Sequence, residues 1–257
     1  MKKVCSLLVA LVLCLSARAQ VGPADPGVYV FVAPPVGPTP VEQWLMNEGS
    51  GQTFLTSSGS GDNLDGANIT WASVAGFPGS VPVFNGSSTS ATGVNQTNTN
   101  FTGTTPFSVC VWALITSGVS NGTFISTFQG GNFTGWEFSI NAPGEALGLQ
   151  LVNTPSNQTE VVTTIGTPEG AIHHFCATYD GVQNGSGLAL YIDGVPQSVS
   201  IIQNSLSASI ANTQPVVVGE RPNNNTNFFN GNMADLRIYN LQLTAAQVSA
   251  IFAAGPQ

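Results

Sequence analysis

Between Val41 and Asn240 the chain is written as short apolar or alternating runs, cut apart by glycine, asparagine, aspartate, serine and proline. The runs read VEQWLM, NITWASV, VPVFNG, FSVCVWALI, GTFISTF, WEFSI, ALGLQLV, TEVVTTI, AIHHFCATYDG, GLALYIDG, QPVVVG and NMADLRIYN. β-Branched and aromatic residues suit a pleated surface, and turn residues at this spacing leave no room for crossover helices. The cadence therefore excludes a βαβ protein and predicts an all-β sandwich or barrel. Residues 41–257 suit one such domain.

Strand periodicity assigns faces within the runs. In FSVCVWALI (107–115), Ser108, Cys110 and Trp112 share a face opposite Val109 and Val111. In AIHHFCATY, His174, Cys176 and Thr178 oppose Phe175, Ala177 and Tyr179. Leu188, Leu190 and Ile192 share a face, and Asp193-Gly194 supplies hairpin-turn chemistry. One helix is expected, in LTAAQVSAIFAAG. Thr244 and Gln247 form a capping box, Val248, Ile251 and Phe252 an apolar stripe, and Gly255 the stop.

The N-terminus reads MKKVCSLLVALVLCLSARAQ. Two lysines, an apolar run too short to span a bilayer and Ala17-Arg18-Ala19 make residues 1–19 a secretory signal peptide of bacterial style, cut before Gln20. Leu13 stands where a small residue would precede a lipidated Cys14. The expected location is the exterior, the cell surface or the periplasm. Residues 20–40 are a proline-rich leader or linker. Within it VYVFV (28–32) reads as a short edge strand on the domain, or alternatively as a strand that pairs with a neighbouring subunit. After cleavage Cys110 and Cys176 remain. They are two buried thiols or a disulfide, and export favours the disulfide; two isolated cysteines supply too few ligands for zinc.

The chain has 5 lysines and arginines against 13 acids. Lys2, Lys3 and Arg18 leave with the signal peptide. Arg221 and Arg237 then face all 13 acids, a formal charge of −11. That composition excludes a phosphate-binding footprint, so neither nucleic acid nor an anionic membrane surface is an expected partner.

Several segments, in order over residues 41–254, resemble the laminin-G-like jelly-roll branch of the concanavalin A-like lectin/glucanase superfamily. WLMNEGSGQTFLTSSGSGDNLDG (44–66) is similar to its opening strand and loop, VPVFNGS to its "sFnG" turn, and FSVCVWAL to its "ft-s-W" strand. IHHFCATYDG resembles its "wHHva-tyDG" strand, LALYIDGVP its hairpin, and VVVGERP with FNGNMADLRIYNLQLTAAQV its closing run. The resemblance implies a two-sheet antiparallel jelly-roll sandwich with a short C-terminal helix, acting as a carbohydrate- or protein-binding module on secreted proteins. FSVC and HHFC also resemble the places where pentraxins carry a joined cysteine pair, which implies a Cys110–Cys176 disulfide. The pentraxin two-calcium site is not implied, since only Glu220 is acidic after VVVG.

Sites follow from residue type. GDNLDGAN offers Asp62, Asn63 and Asp65 as hard oxygen ligands for one structural Ca2+. Asp235 matches an acidic position of the family there, although Thr56 stands where the family often has Asp; the alternative is a solvated polar loop. Sugar recognition needs aromatic platforms and amides. Phe133 and Trp136 in GGNFTGWEF, and Phe228 and Phe229 beside Asn223, Asn224 and Asn225, are the candidates, unless these aromatics cover sandwich edges. Catalysis is not expected. The superfamily's glucanases carry E-x-D-x-E on one strand; Glu137 stands alone and reads as a solvent-facing strand residue, while His173 and His174 lie in a structural strand. The expected function is a secreted, non-catalytic binding module for a glycan or a cell-surface or matrix polymer. The alternative is an adhesive subunit that assembles with copies of itself through its N-terminal strand.

Overall fold

The computed structural model describes residues 37–94, 98–118, 121–141 and 144–257. The expected signal peptide, the expected leader and VYVFV lie outside the described residues. The chain divides at Val36, and Gly37–Gln257 is the compact unit described below.

In chain order the strands are β1 (Glu42–Trp44), β2 (Thr53–Phe54), β3 (Leu64–Ala67), β4 (Thr70–Ser73), β5 (Ser80–Asn85), β6 (Ser90–Gly93) and β7 (Phe107–Ile115). There follow β8 (Gly122–Ser126), β9 (Gly135–Asn141), β10 (Ala146–Thr154), β11 (Asn157–Gly166), β12 (Ile172–Tyr179), β13 (Leu188–Ile192) and β14 (Val195–Pro196). The last are β15 (Val199–Asn204), β16 (Val217–Val218) and β17 (Asn230–Tyr239), before helix α1 (Ala245–Ala254). They form two antiparallel sheets. One runs β14-β13-β12-β7-β17-β5-β4, with β1 also on β17; the other runs β15-β11-β10-β9-β8-β16-β6-β3-β2. This is the two-sheet jelly-roll sandwich expected from the sequence.

Alternation drives the packing. From the first sheet Val109, Val111, Phe175, Ala177 and Leu190 turn inward; from the second, Phe138, Leu149, Leu151 and Val161 meet them. Each such side chain taken from water contributes about 1.5–3 kcal/mol. Polar tips in this core are satisfied: Trp44 donates to the Asp62 carbonyl at 2.7 Å and Trp136 to that of Thr99 at 2.9 Å.

The outer face of the first sheet carries the cysteines. Cys110 and Cys176 sit directly opposite one another on β7 and β12 and are joined by a disulfide. Helix α1 covers them: Tyr191, Tyr239, Leu243, Val248 and Ile251 close a second apolar cluster around the sulfurs. Phe252 stacks on Trp112 at 5.6 Å. Thr244 and Gln247 make the reciprocal capping box, and Gly255 ends the helix at φ 74°. Asp193 and Gly194 turn β13 into β14 with φ of 51° and 75°, as their residue types demand.

Candidate functional site

The register of the second sheet lines side chains up across its strands. Thr92, Val217, Ser126, Glu137, Gln150, Glu160 and Gln203 occupy successive opposed positions from β6 to β15. Their chain neighbours Phe138, Leu149 and Val161 point into the core. The row therefore lies on the sheet's outer face.

Glu137 is fully buried in that row. Arg221 grips it with a fork: Nε lies 3.1 and 3.0 Å from the two carboxylate oxygens, and Nη2 bonds Oε1. The Thr123 hydroxyl donates to Oε2 at 3.2 Å. Gly219, just after β16, has no room for a side chain: at φ 87° a Cβ there would come within 2.4 Å of the Phe84 ring. Burial alone would lower the Arg221 pKa, but hydrogen bonds and charge from Glu137, with Glu160 adding to them, raise it. Glu160 is half-buried. Desolvation lifts its pKa above the ordinary carboxylate value, against the pull of Arg221 and with the push of Glu137.

Two turns roof the ion pair. Gln129 and Thr134 close a hairpin tip, and Arg221 and Thr226 close the second turn. The Asn223 amide donates to the Gly130 carbonyl at 3.3 Å and ties the turns together. Phe133 is held at φ 58°, a conformation a bulky residue rarely adopts. Its ring meets Phe128 edge-on at 5.9 Å, and the guanidinium lies 5.5 and 5.9 Å from the two ring centres. Phe133, Gln150, Val152, Pro155, Gln158 and Arg221 line an open cleft of about 220 Å³. Gln150 donates to Gln158 at 2.6 Å, and Gln158 to the Pro155 carbonyl at 2.6 Å. Arg221 Nη1 stays out of the ion pair. The cleft thus offers an aromatic face, aligned amides and one guanidinium edge, groups suited to a hydroxyl-bearing ring.

The structure brings together only part of the expected ligand set. Phe133 and Asn223 meet at the cleft. Asn224 and Asn225 are exposed on the second turn, and Phe228 is half-buried beyond it. Trp136 and Phe229 require correction. They are 1% and 0% exposed, because alternation in β9 and packing against Phe84 and Phe124 put them in the core. Glu137 is likewise not solvent-facing. Arg221, Gln150 and Gln158 were not anticipated. For Gln150 a signal existed, since it alternates with Leu149 and Leu151 in β10. Glu137 and Arg221 lie 84 residues apart, and no local pattern joins them.

The expected calcium ligands are not gathered at one point. Asp62 is buried and Asp65 exposed on β3. Asn63 Oδ1 accepts the Thr56 amide at 3.0 Å. Asp235 holds Arg237 through both oxygens, at 2.7 and 2.6 Å, and also accepts from Gln43 at 2.8 Å and the Gln257 amide at 3.0 Å. The carboxylate that faces the Asp62 loop is Glu42, which accepts from Ser60 and Asn98 at 2.6 Å, Ser58 at 3.1 Å and Thr56 at 3.2 Å. Among the described residues no group of three or more His, Cys, Asp or Glu is placed to hold a metal. His173 pairs with Asp193 at 2.7 Å, and His174 is buried against Trp112, so both serve the first sheet.

Known structures share this fold. The binding domain of Paraclostridial Mosquitocidal Protein 1 superposes with a TM-score of 0.64 at 17% identity, over 83% of this chain and 52% of that one. The binding domain of botulinum neurotoxin serotype G gives 0.61 at 17% identity, over 83% and 50%. The present chain thus spans about half the length of these toxin domains. Domain 4 of AbnA, a GH43 extracellular arabinanase from Geobacillus stearothermophilus solved in complex with arabinotriose, gives 0.57 at 16% identity, over 83% of this chain and 98% of that one. No curated protein matches the sequence. The family model described as the concanavalin A-like lectin/glucanases superfamily matches residues 86–249, more than half of the chain. With the two-sheet sandwich, that match establishes that the chain belongs to this superfamily.

Proposed function

We propose that the protein is an exported, non-catalytic carbohydrate-binding module that holds a sugar ring in the Arg221 cleft. The observation that carries this reading is the convergence of Phe133, Gln150, Gln158 and Arg221 around one open cavity of ring size. The arabinotriose complex of the arabinanase domain, and the binding roles named for the toxin domains, agree with it. Export follows from the signal peptide at residues 1–19.

The non-catalytic part rests on Glu137. Glu137 and Glu160 face the same way two strands apart, roughly 10 Å along the sheet. Glycosidase carboxylates work in pairs, but one must hold a proton or activate water. The oxygens of Glu137 are taken by Arg221 and Thr123. Release of reducing ends from a bound polysaccharide would overturn this.

The test is a glycan array on the mature protein, followed by titration of the best hit with the wild type and Phe133→Ala. Loss of the stacking ring is expected to weaken binding roughly tenfold. Unchanged affinity moves the site elsewhere, and a flat array removes the reading. Repeating the titration and the melting curve with a chelator tests for the structural Ca2+. Glu42 is already satisfied by four hydrogen bonds, so neither curve is expected to move.

A second reading, self-assembly, has one observation in its favour. Edge strand β15 exposes Ile201 at 46% and Ile202 at 51%, with no charge along its length. Such an edge is a template for an added strand.

A further inference from the structure

We infer that the Arg221 cleft selects uncharged sugars and rejects anionic ones. The inference rests on the carbohydrate-binding reading above and names its ligand class.

An arginine in a cleft ordinarily signals a carboxylate, sulfate or phosphate partner, because its fork matches two anionic oxygens. Here the fork is already used. Nε and Nη2 bond Glu137, whose side chain has no exposure and gives both oxygens to the pair. Glu160 lies next along the same row, opposite Gln150, and adds a second carboxylate beside the cleft. Arg237, the other cation of the exported chain, is bound through Nε and Nη2 to Asp235. An incoming anion would shed its water without meeting a free positive charge, in the field of a chain with formal charge −11. A neutral ring meets no such cost. Its hydroxyls can accept from Nη1 and exchange hydrogen bonds with the Gln150–Gln158 amides, while Phe133 covers one face. Arg221 then works as a charge-cancelled donor and as the stiffener of the two turns.

The experiment uses the mature protein on an array that carries neutral oligosaccharides beside their uronate and sulfate counterparts. Hits confined to the neutral members are expected. Titration of each hit against its anionic counterpart at low salt should show a gap of about tenfold or more, shrinking as salt screens the field. Equal or tighter binding of the anionic member overturns the inference while leaving the carbohydrate reading intact; an array with no hits removes both. Glu160→Gln takes one negative charge from beside the cleft without unpairing Arg221. It is expected to narrow the gap about threefold, and an unchanged ratio would overturn the electrostatic basis.

Discussion

At the scale of single residues, two buried groups carry consequences that can be measured. The disulfide closes a loop whose ends are 66 residues apart. On the chain-entropy argument, Cys110→Ala with Cys176→Ala should cost about 4 kcal/mol, seen as a lower denaturant midpoint with a steeper slope, because the unlinked unfolded chain exposes more surface. A loss below about 1 kcal/mol would show that α1 and its cluster hold this face without the bond. His174 is the second. Burial, then the charge of Arg237, drive its pKa down to about 4, against the opposing pull of Asp235 and Asp193. In the unfolded chain it titrates near 6.5. Above that value His174 is neutral in both states and costs nothing. As pH falls from 6.5 towards 4 the unfolded state takes the proton first, and stability should drop by about 3 kcal/mol. Glu160 and Glu220, whose pKa values burial raises, act in the opposite sense. The comparison is therefore between the wild type and His174→Leu, whose stability curve should be flatter over that window. Parallel curves would mean that the folded protein takes up the His174 proton as readily as the unfolded chain does.

At the scale of elements, α1 is a strap whose first turn is set by its cap. The Gln247 amide donates to the Thr244 hydroxyl at 3.3 Å, and the Thr244 amide to Gln247 Oε1 at 2.8 Å. Thr244→Ala should cost about 1 kcal/mol. It should also speed hydrogen exchange in the amides of the helix, since local opening uncovers Tyr239 and Leu243. This element was fully legible in the sequence, because cap, stripe and stop are local signals. So were β7, β12 and β13, whose alternation is unbroken. β15 was not: VSIIQN is exposed along almost its whole length, so it lacks the buried face that marks a strand. β2, β3 and β6 were missed because two to four residues carry no period. The candidate cleft was half legible. Phe133 and Asn223 were named from aromatic and amide chemistry, but Trp136 and Phe229 show the same chemistry while packing inward. Burial by a distant strand is invisible from either position alone. Arg221 could have drawn notice as one of the two cations beyond residue 19, yet its partner is set by the pairing of β16 with β8.

At the scale of the whole molecule, the question is whether the N-terminal segment belongs to the working protein or only leads to it. Among the described residues, the apolar clusters of the sandwich draw their members from Val41 onward. Arg221 and Arg237, the arginines among the described residues, find acids inside the same unit. If residues 20–36 are only a linker, folding of residues 37–257 does not depend on them. A protein beginning at Gly37 is expected to melt within about 2 °C of one beginning at Gln20 and to bind the same glycans. Oligomeric state, read by light scattering, separates the two functional readings. If the mature chain is a monomer and truncation changes nothing, the binding module stands. If the mature chain assembles and the truncated one does not, VYVFV acts in trans, and edge β15 with Ile201 and Ile202 is the surface to mutate first. Ile202→Lys would then place a charge on that edge and should abolish assembly while leaving the Arg221 cleft, on the sheet's broad face, able to bind.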